Sequence, residues 1–229
     1  MPDAAPPLRA AYRRLHAHFG HQRWWPAETP FEVCVGAILT QNTAWTNVER
    51  ALARLKAAGV LEPRALFALP ESALAELLRP AGTFRVKARR LRAFLRVLVG
   101  ECGGDLARLL AGHAAAVRAR LLAIPGIGPE TADCLLLYAG GHASFVVDAY
   151  TRRVFSRHGW CAPDAGYGEL QRLAAAGLPE ADPVARLDLW QDAHAQFVAV
   201  AKAFCRARAP HCAGCPLASL LPPGGPRPA

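Results

Sequence analysis

The chain has 229 residues, of which 52% are hydrophobic, enough to bury one substantial core or two modest ones. Its apolar runs are short and broken by Arg, Gly or Pro, which excludes a membrane span, and its first residues lack the pattern of a signal peptide, so we expect a cytoplasmic protein. The net charge of +9 favours a polyanionic partner such as nucleic acid, although surplus arginine can also serve solubility alone.

Helical periodicity runs through most of the chain, and alternation of period two is almost absent. Leu91, Phe94, Leu95 and Leu98 follow the spacing of one helix face, and arginines occupy the other faces. Similar patterns cover residues 8–19, 31–41, 45–58, 63–69, 72–79, 106–111, 114–123, 131–139, 148–157, 167–176 and 184–205. The sequence therefore predicts an all-α protein of ten or so short helices, ending in a loose Pro- and Gly-rich tail at 217–229.

A tight corner interrupts two of these helices in the segment IPGIGPETAD, residues 124–133. Pro125 ends the first helix, Gly126 and Gly128 permit positive φ or a close backbone approach, and Pro129 suits the first turn of the next helix. The second helix then begins with exposed N–H groups, which is typical of a phosphate-binding site. The alternative is an ordinary helix–helix corner with a capping glycine.

Asp148 follows a short apolar run in the segment SFVVDAY and precedes an amphipathic helix. As an isolated residue it is explained by helix capping, because Asp is a preferred N-cap. Together, however, the Gly/Pro hairpin and the VVDAY segment resemble the helix-hairpin-helix, Gly/Pro-rich, aspartate superfamily of DNA glycosylases, typified by endonuclease III. The resemblance extends from about Trp24 to Cys215 and includes the segments PFEVCVGAILTQNTAWTNVERAL and RPAGTFRVKARRL.

The resemblance implies an all-α fold of two helical domains with a DNA-binding cleft between them. It implies a six-helix barrel at 28–142 that contains the hairpin at about 114–139, a second helical domain formed by 1–27 and 143–216, and the tail at 217–229. It further implies a monomer, of a bacterial, nucleoid-associated type, that acts on double-stranded DNA containing damaged bases and has no membrane partner.

The resemblance also assigns roles to individual residues. Asp148 would be the catalytic carboxylate, stabilising the charge that develops on the sugar and activating water. Gln41 and Asn42 lie in the family's wedge region, which fills the gap left by a flipped nucleotide, although polar residues also commonly end helices. The hairpin would grip the DNA backbone without reading sequence, through Gly126, Ile127, Gly128, Glu130 and Thr131.

Glu130 occupies the position where members that also cleave the strand carry a lysine. That lysine attacks the sugar and forms a Schiff base, which a glutamate cannot do. The hairpin contains no lysine, so the sequence predicts a monofunctional glycosylase without lyase activity. The alternatives are an endonuclease III-like glycosylase and lyase for oxidised pyrimidines, with another lysine as nucleophile, and a hairpin DNA-binding protein without catalysis.

Adjacent tryptophans, Trp24 and Trp25, precede the first core helix in the segment HQRWWPAETPF. They could staple the N-terminal helix to the core, or they could form a base pocket with Trp45 as a further wall. Methylated purines such as 3-methyladenine carry positive charge, which tryptophan faces attract. The motifs resemble the 3-methyladenine branch of the superfamily, in which a lysine of the C-terminal helix lies near the pocket. Lys202 falls at the matching place, although it could equally be a solvated helix lysine.

Cys205, Cys212 and Cys215 match three of the four ligands of the family's C-terminal [4Fe–4S] loop. The fourth cysteine is expected at position 221, which is Leu. Three possibilities follow: a degenerate loop without metal, a cluster with an incomplete ligand set, or zinc bound with the help of His211. Any metal here would order the loop rather than take part in catalysis.

Overall fold

The computed structural model describes residues 6–228, which contain twelve α-helices and no β-strand, so the all-α prediction is confirmed for this part of the chain. The helices are α1 (Leu8–Phe19), α2 (Pro30–Leu39), α3 (Trp45–Ala57), α4 (Pro63–Ala68), α5 (Glu71–Leu77), α6 (Phe84–Gly100), α7 (Leu106–Leu110), α8 (Ala114–Leu122), α9 (Pro129–Cys134), α10 (Ala149–Arg157), α11 (Tyr167–Gly177) and α12 (Pro183–Ala203). A π-helical turn, Leu135–Ala139, continues α9. None of the described helices has the length and apolar character needed to cross a membrane.

The chain divides into two compact units. The central unit comprises Trp25–Ser144 and contains α2 to α9, including the hairpin. The terminal unit combines the segment that ends at Trp24 with the chain from Phe145 onward, and contains α1 and α10 to α12. The division falls a few residues from the boundaries expected at 28 and 142.

Helix α2 forms the core of the central unit. Every side chain from Phe31 to Leu39 is buried, and the helix packs against α3, α6, α9 and the π-helical turn. Thr29 caps the helix by accepting a hydrogen bond from the amide of Glu32. The carboxylate of Glu32 is buried but forms an ion pair with Lys56 at 2.8 Å, which offsets the cost of removing the charge from water.

Helix α6 is amphipathic, as its periodicity predicts. Leu91, Phe94, Leu95 and Leu98 are fully buried against the rest of the central unit. Arg89 and Arg96 are exposed, whereas Arg92 donates to the carbonyl of Leu69 and Arg90 packs beneath the hairpin. The hydrophobic stripe therefore fixes the rotation of α6 about its axis and, with it, the position of Arg90.

The terminal unit is built around α12, which packs against α1 and α10. The buried carboxylate of Asp192 accepts a hydrogen bond from the amide of Gln22, and the Gln196 amide donates to the carbonyl of Gly20. These two bonds attach the segment that follows α1 to the middle of α12.

The segment expected to be a loose tail lies against α10 at its described end. The amide of Arg227 donates to the carbonyl of Arg157, and the hydroxyl of Ser156 donates to the carbonyl of Pro228. Proline and glycine prevent regular structure in this segment, but they do not prevent its backbone groups from finding partners in a neighbouring helix.

Candidate functional site

Asp148 lies where a buried segment without regular structure meets a helix. The segment Phe145–Val147 is buried, and Asp148 is the N-cap of α10. Its Oδ1 accepts a hydrogen bond from the amide of Thr151 at 2.7 Å, which satisfies one of the free N–H groups at the start of the helix. The side chain is 13% exposed, so the carboxylate is largely removed from water but still accessible.

The second oxygen of Asp148 faces a histidine that the sequence did not single out. Nε2 of His194, on α12, lies 3.6 Å from Oδ2 of Asp148, and the imidazole is buried. Burial raises the pKa of Asp148, but the interactions with His194 and with Thr151 outweigh it, so the pKa lies below its ordinary value. The carboxylate of Asp148 is therefore ionised at neutral pH although it is largely buried.

The hairpin of the central unit consists of α8, the corner and α9. Gly126 has a φ of 90°, and a side chain there would collide with Arg90, so this position requires glycine. Gly128 has a φ of −93° and no atom within 4 Å of where its Cβ would be, so it leaves open space in front of α9. Ile127 is buried, whereas Glu130 is exposed.

Of the two predicted wedge residues, Gln41 is engaged with the hairpin. Its Nε2 donates to the carbonyl of Gly126 at 3.0 Å and to the hydroxyl of Thr131 at 2.9 Å. Its Oε1 accepts a hydrogen bond from Arg90. Asn42 is exposed and has a φ of 55°, a conformation that Asn adopts more readily than most residues. The amide of Gln41 therefore stabilises the corner, and Asn42 is the exposed member of the pair.

Trp25 and Trp45 meet in an aromatic cluster of the central unit. Their ring centroids are 5.2 Å apart in an edge-to-face arrangement, and Tyr138 lies 5.3 Å from Trp25. Gly36 of α2 lies beneath the cluster, where a Cβ would be 3.3 Å from Trp25 and 3.4 Å from Trp45. The three rings are only half-buried. Tyr138 was not predicted, because helical periodicity does not distinguish it from a core residue.

The other two predicted pocket residues belong to the terminal unit. Trp24 is half-buried there. Lys202 is exposed in the last turn of α12, with its Nζ 5.8 Å from the ring centroid of Tyr150. Tyr150 lies in the first turn of α10, two positions after Asp148, so Lys202 is directed toward the same end of that helix.

The cysteine loop supplies three of the four cysteine ligands of the family's [4Fe–4S] cluster. Cys205, Cys212 and Cys215 line one pocket, and Leu221, whose side chain has no donor atom, lines it as well. His211 stacks on Phe204, with ring planes 13° apart, and lines the same pocket. Within residues 6–228 no group of three or more His, Cys, Asp or Glu side chains is arranged to hold a metal ion.

A buried arginine organises this loop instead. The guanidinium of Arg157, on α10, donates to the carbonyls of Arg206 and Ala207 at 2.6 and 2.7 Å and lies 3.4 Å from Sγ of Cys205. These contacts satisfy backbone groups that have no partner in a regular element. Arg157 therefore attaches the start of the loop to α10 through the backbone of the loop.

The helices, the hairpin and the capping aspartate define a helical DNA glycosylase fold, and comparisons with known proteins agree. A family model described as HhH-GPD superfamily base excision DNA repair protein matches residues 35–180. A Methanocaldococcus jannaschii protein assigned by its name to the DNA repair glycosylases is 44% identical over 208 residues, which cover 90% of this chain and 91% of that protein. The chain therefore belongs to the HhH-GPD superfamily and is a base excision repair DNA glycosylase.

Two solved structures illustrate the fold. The H. pylori 3-methyladenine DNA glycosylase bound to 1,N6-ethenoadenine is 26% identical, with a TM-score of 0.75 over 86% of this chain and 97% of that one. A trapped endonuclease III–DNA covalent intermediate has a TM-score of 0.81 over 95% of both chains, at 23% identity. The fold is thus shared by proteins whose names indicate different substrates and reactions. The fold alone therefore does not identify the substrate of this chain.

Proposed function

We propose that the chain is a monofunctional DNA glycosylase that hydrolyses the N-glycosidic bond of alkylated purines such as 3-methyladenine, with Asp148 as its catalytic carboxylate. The observation that carries the proposal is the state of this residue. Asp148 is largely buried, its pKa lies below its ordinary value, and its backbone position is fixed at the start of α10. A carboxylate in such surroundings interacts more strongly with a developing positive charge than one in water does.

The reaction needs little else from the protein. As the base departs with the electron pair of the N-glycosidic bond, positive charge develops on the sugar, and the carboxylate stabilises it. The oxygen of a water molecule then forms a bond to C1′, and Asp148 accepts the proton that the water loses. Purines alkylated at N3 or N7, such as 3-methyladenine, are already charged in the nucleoside and are good leaving groups, so their release needs no strong acid beside the base.

The hairpin supplies the DNA contact in this proposal. The open space in front of Gly128 lets a phosphate approach the first amides of α9. The net charge of +9 attracts the DNA backbone from a longer distance. Asn42, exposed next to the hairpin-bound Gln41, is the residue we assign to the gap in the stack. Contacts of this kind hold the duplex without reading its sequence.

The lysines support a mechanism that uses water. The chain has three, and none lies in the hairpin, where Glu130 stands instead. Lys56 is paired with Glu28 and Glu32, and Lys87 is buried against a backbone carbonyl. Lys202, exposed above Tyr150, is the lysine of the terminal unit, to which Asp148 also belongs. If any lysine formed a Schiff base, Lys202 would be the one to replace first.

The aromatic cluster supports an alkylated purine as the substrate. The cluster presents the half-buried rings of Trp25, Trp45 and Tyr138. A cation–π contact with such a ring stabilises a bound charged methylpurine by roughly 1–2 kcal/mol when water is excluded. The related H. pylori structure contains a purine adduct. We expect Trp25→Ala to weaken excision of charged methylpurines more than it weakens duplex affinity. Equal losses would assign Trp25 to packing alone.

The proposal is tested by an excision assay on a panel of alkylated, deaminated and oxidised duplexes, read on gels before and after alkali. We expect release of 3-methyladenine, with strand cleavage only after alkali, and we expect Asp148→Asn to abolish release while the duplex is still bound. Borohydride should trap no covalent adduct. Release of oxidised pyrimidines together with a trapped adduct would favour the lyase alternative, and no release from any duplex would favour a DNA-binding protein without catalysis.

A further inference from the structure

The carboxylate of Asp148 has different partners at its two oxygens. Oδ1 is bonded to the amide of Thr151 as a helix cap, whereas Oδ2 faces Nε2 of His194. We propose that His194 is the positioning residue of the site. It fixes the rotation of the Asp148 carboxylate, keeps the carboxylate ionised and directs Oδ2 toward the substrate. This inference rests on the proposed function of Asp148, and it adds a second residue to the site.

The position of His194 suits this role. The residue lies in the middle of α12, a helix packed against α10, and its side chain is only 6% exposed. Because the imidazole is buried, water cannot easily replace Asp148 beside it. The orientations of the two side chains therefore constrain each other. Nε2 of His194 and Oδ2 of Asp148 are 3.6 Å apart, slightly farther than in a hydrogen bond. Catalytic contacts of this length commonly shorten when the substrate binds.

Other charged groups on the neighbouring helices have different partners. On α10, Arg152 donates to the carbonyl of Ala165 and Arg153 to that of Cys205. On α12, Asp192 accepts from the amide of Gln22 and interacts with Tyr12 of α1, Asp188 pairs with His21, and Lys202 lies above Tyr150. These contacts direct the named side chains away from Asp148, and the imidazole of His194 faces Oδ2.

The arrangement separates two functions of one carboxylate. The cap at Oδ1 stabilises α10 whether or not the histidine is present, because it depends only on the backbone of Thr151. Replacing His194 should therefore alter the charge and orientation at Oδ2 while the helix stays capped. A residue that contributed only packing would change stability without changing the ionisation of Asp148.

The experiment compares the full-length wild type with His194→Phe, which keeps the planar shape, and His194→Gln, which keeps a donor. Aspartate side chains are labelled with ¹³C, Asp148→Asn identifies the resonance of Asp148, and its carboxyl is titrated by NMR. We expect Asp148 to titrate at a higher pH in His194→Phe, by on the order of one pH unit, as the loss of a nearby favourable partner implies. We expect His194→Gln to restore part of the difference.

Single-turnover excision is measured on the same proteins. We expect the acid limb of the pH profile to move with the NMR titration, and the rate at neutral pH to fall roughly tenfold because the carboxylate is less well oriented. If Asp148 titrates identically in all three proteins, the positioning role is wrong, whatever the enzymatic result. If the titration shifts but the wild type excises no base from any duplex, the pairing stands and the proposed function fails.

Discussion

Gly126 is the position at which the hairpin depends most directly on the absence of a side chain. Its φ of 90° lies in a region that L-residues rarely adopt. A Cβ at this position would also overlap Cγ of Arg90 and would lie 3.1 Å from the Cβ of Arg90, a tight contact that a change of rotamer cannot relieve. We predict that Gly126→Ala destabilises the central unit.

The magnitude follows from two contributions. Holding alanine in this backbone conformation costs about 1–3 kcal/mol, and displacing a packed side chain costs about 1–3 kcal/mol more. The reduced entropy of the unfolded chain returns only about 0.4–1 kcal/mol. Since Arg90 also donates to Gln41, which holds the carbonyl of Gly126, its displacement loosens the corner itself. We therefore expect a loss of about 1–6 kcal/mol, which compares with a typical domain stability of about 5–15 kcal/mol.

The same motif provides the control. Gly128 has a φ of −93° and open space around its missing Cβ, so Gly128→Ala should change the free energy of unfolding by less than about 0.5 kcal/mol. Urea denaturation gives the stability of both variants, and fluorescence anisotropy at two salt concentrations gives their duplex affinity. We expect Gly128→Ala to remain stable but to bind duplex more weakly. Equal stability of the two variants would refute the account of Gly126.

The remaining predictions concern a buried lysine, the cysteine loop and the residues beside the hairpin. Burial lowers the pKa of Lys87 to about 8 from 10.5. Between these pH values the unfolded chain retains a proton that the folded chain has lost, so the free energy of unfolding should rise with pH. Lys87→Met should remove this rise in denaturation curves measured across that range, and an unchanged slope would contradict the prediction. Leu221→Cys completes the ligand set, so iron analysis after anaerobic purification should find more iron in the variant than in the wild type, and equal contents would refute the argument from three thiols. Gln41→Ala should lower the free energy of unfolding by about 1–3 kcal/mol, because its partners in the hairpin lose their hydrogen bonds. Asn42→Ala should leave stability unchanged and slow excision from duplex DNA. The reverse result would exchange the roles of the two residues.

The features that could be predicted from sequence are those set by neighbouring residues. The buried face of α6 follows from a spacing of three and four residues. The break between α8 and α9 follows from proline and glycine, and the cap of α10 follows from an aspartate before an amphipathic run. Each of these is a local property, and for each the sequence within one or two helical turns contains the necessary information.

The features that were missed depend on packing between distant segments. Gln41 bonds to Gly126 across 85 positions, and no pattern in either segment indicates the contact. His194 reaches Asp148 because α12 packs on α10, and a histidine within a mostly buried helix has no periodicity of its own. For the same reason Tyr138 was not recognised as a neighbour of Trp25. A single sequence determines which faces are buried but not which faces meet.

The two interpretations of Asp148, as a helix cap and as a catalytic group, are compatible because they use different oxygen atoms. The cap needs only an acceptor at Oδ1, and asparagine is about as good an N-cap as aspartate. Asp148→Asn therefore removes the charge at Oδ2 while α10 keeps its first hydrogen bond, whereas Asp148→Ala removes both, at a cost of about 1 kcal/mol in stability. If excision is lost in Asp148→Asn at unchanged stability, the loss belongs to the charge. If Asp148→Asn remains active and only Asp148→Ala is impaired, the residue is a cap and the carboxylate mechanism is wrong.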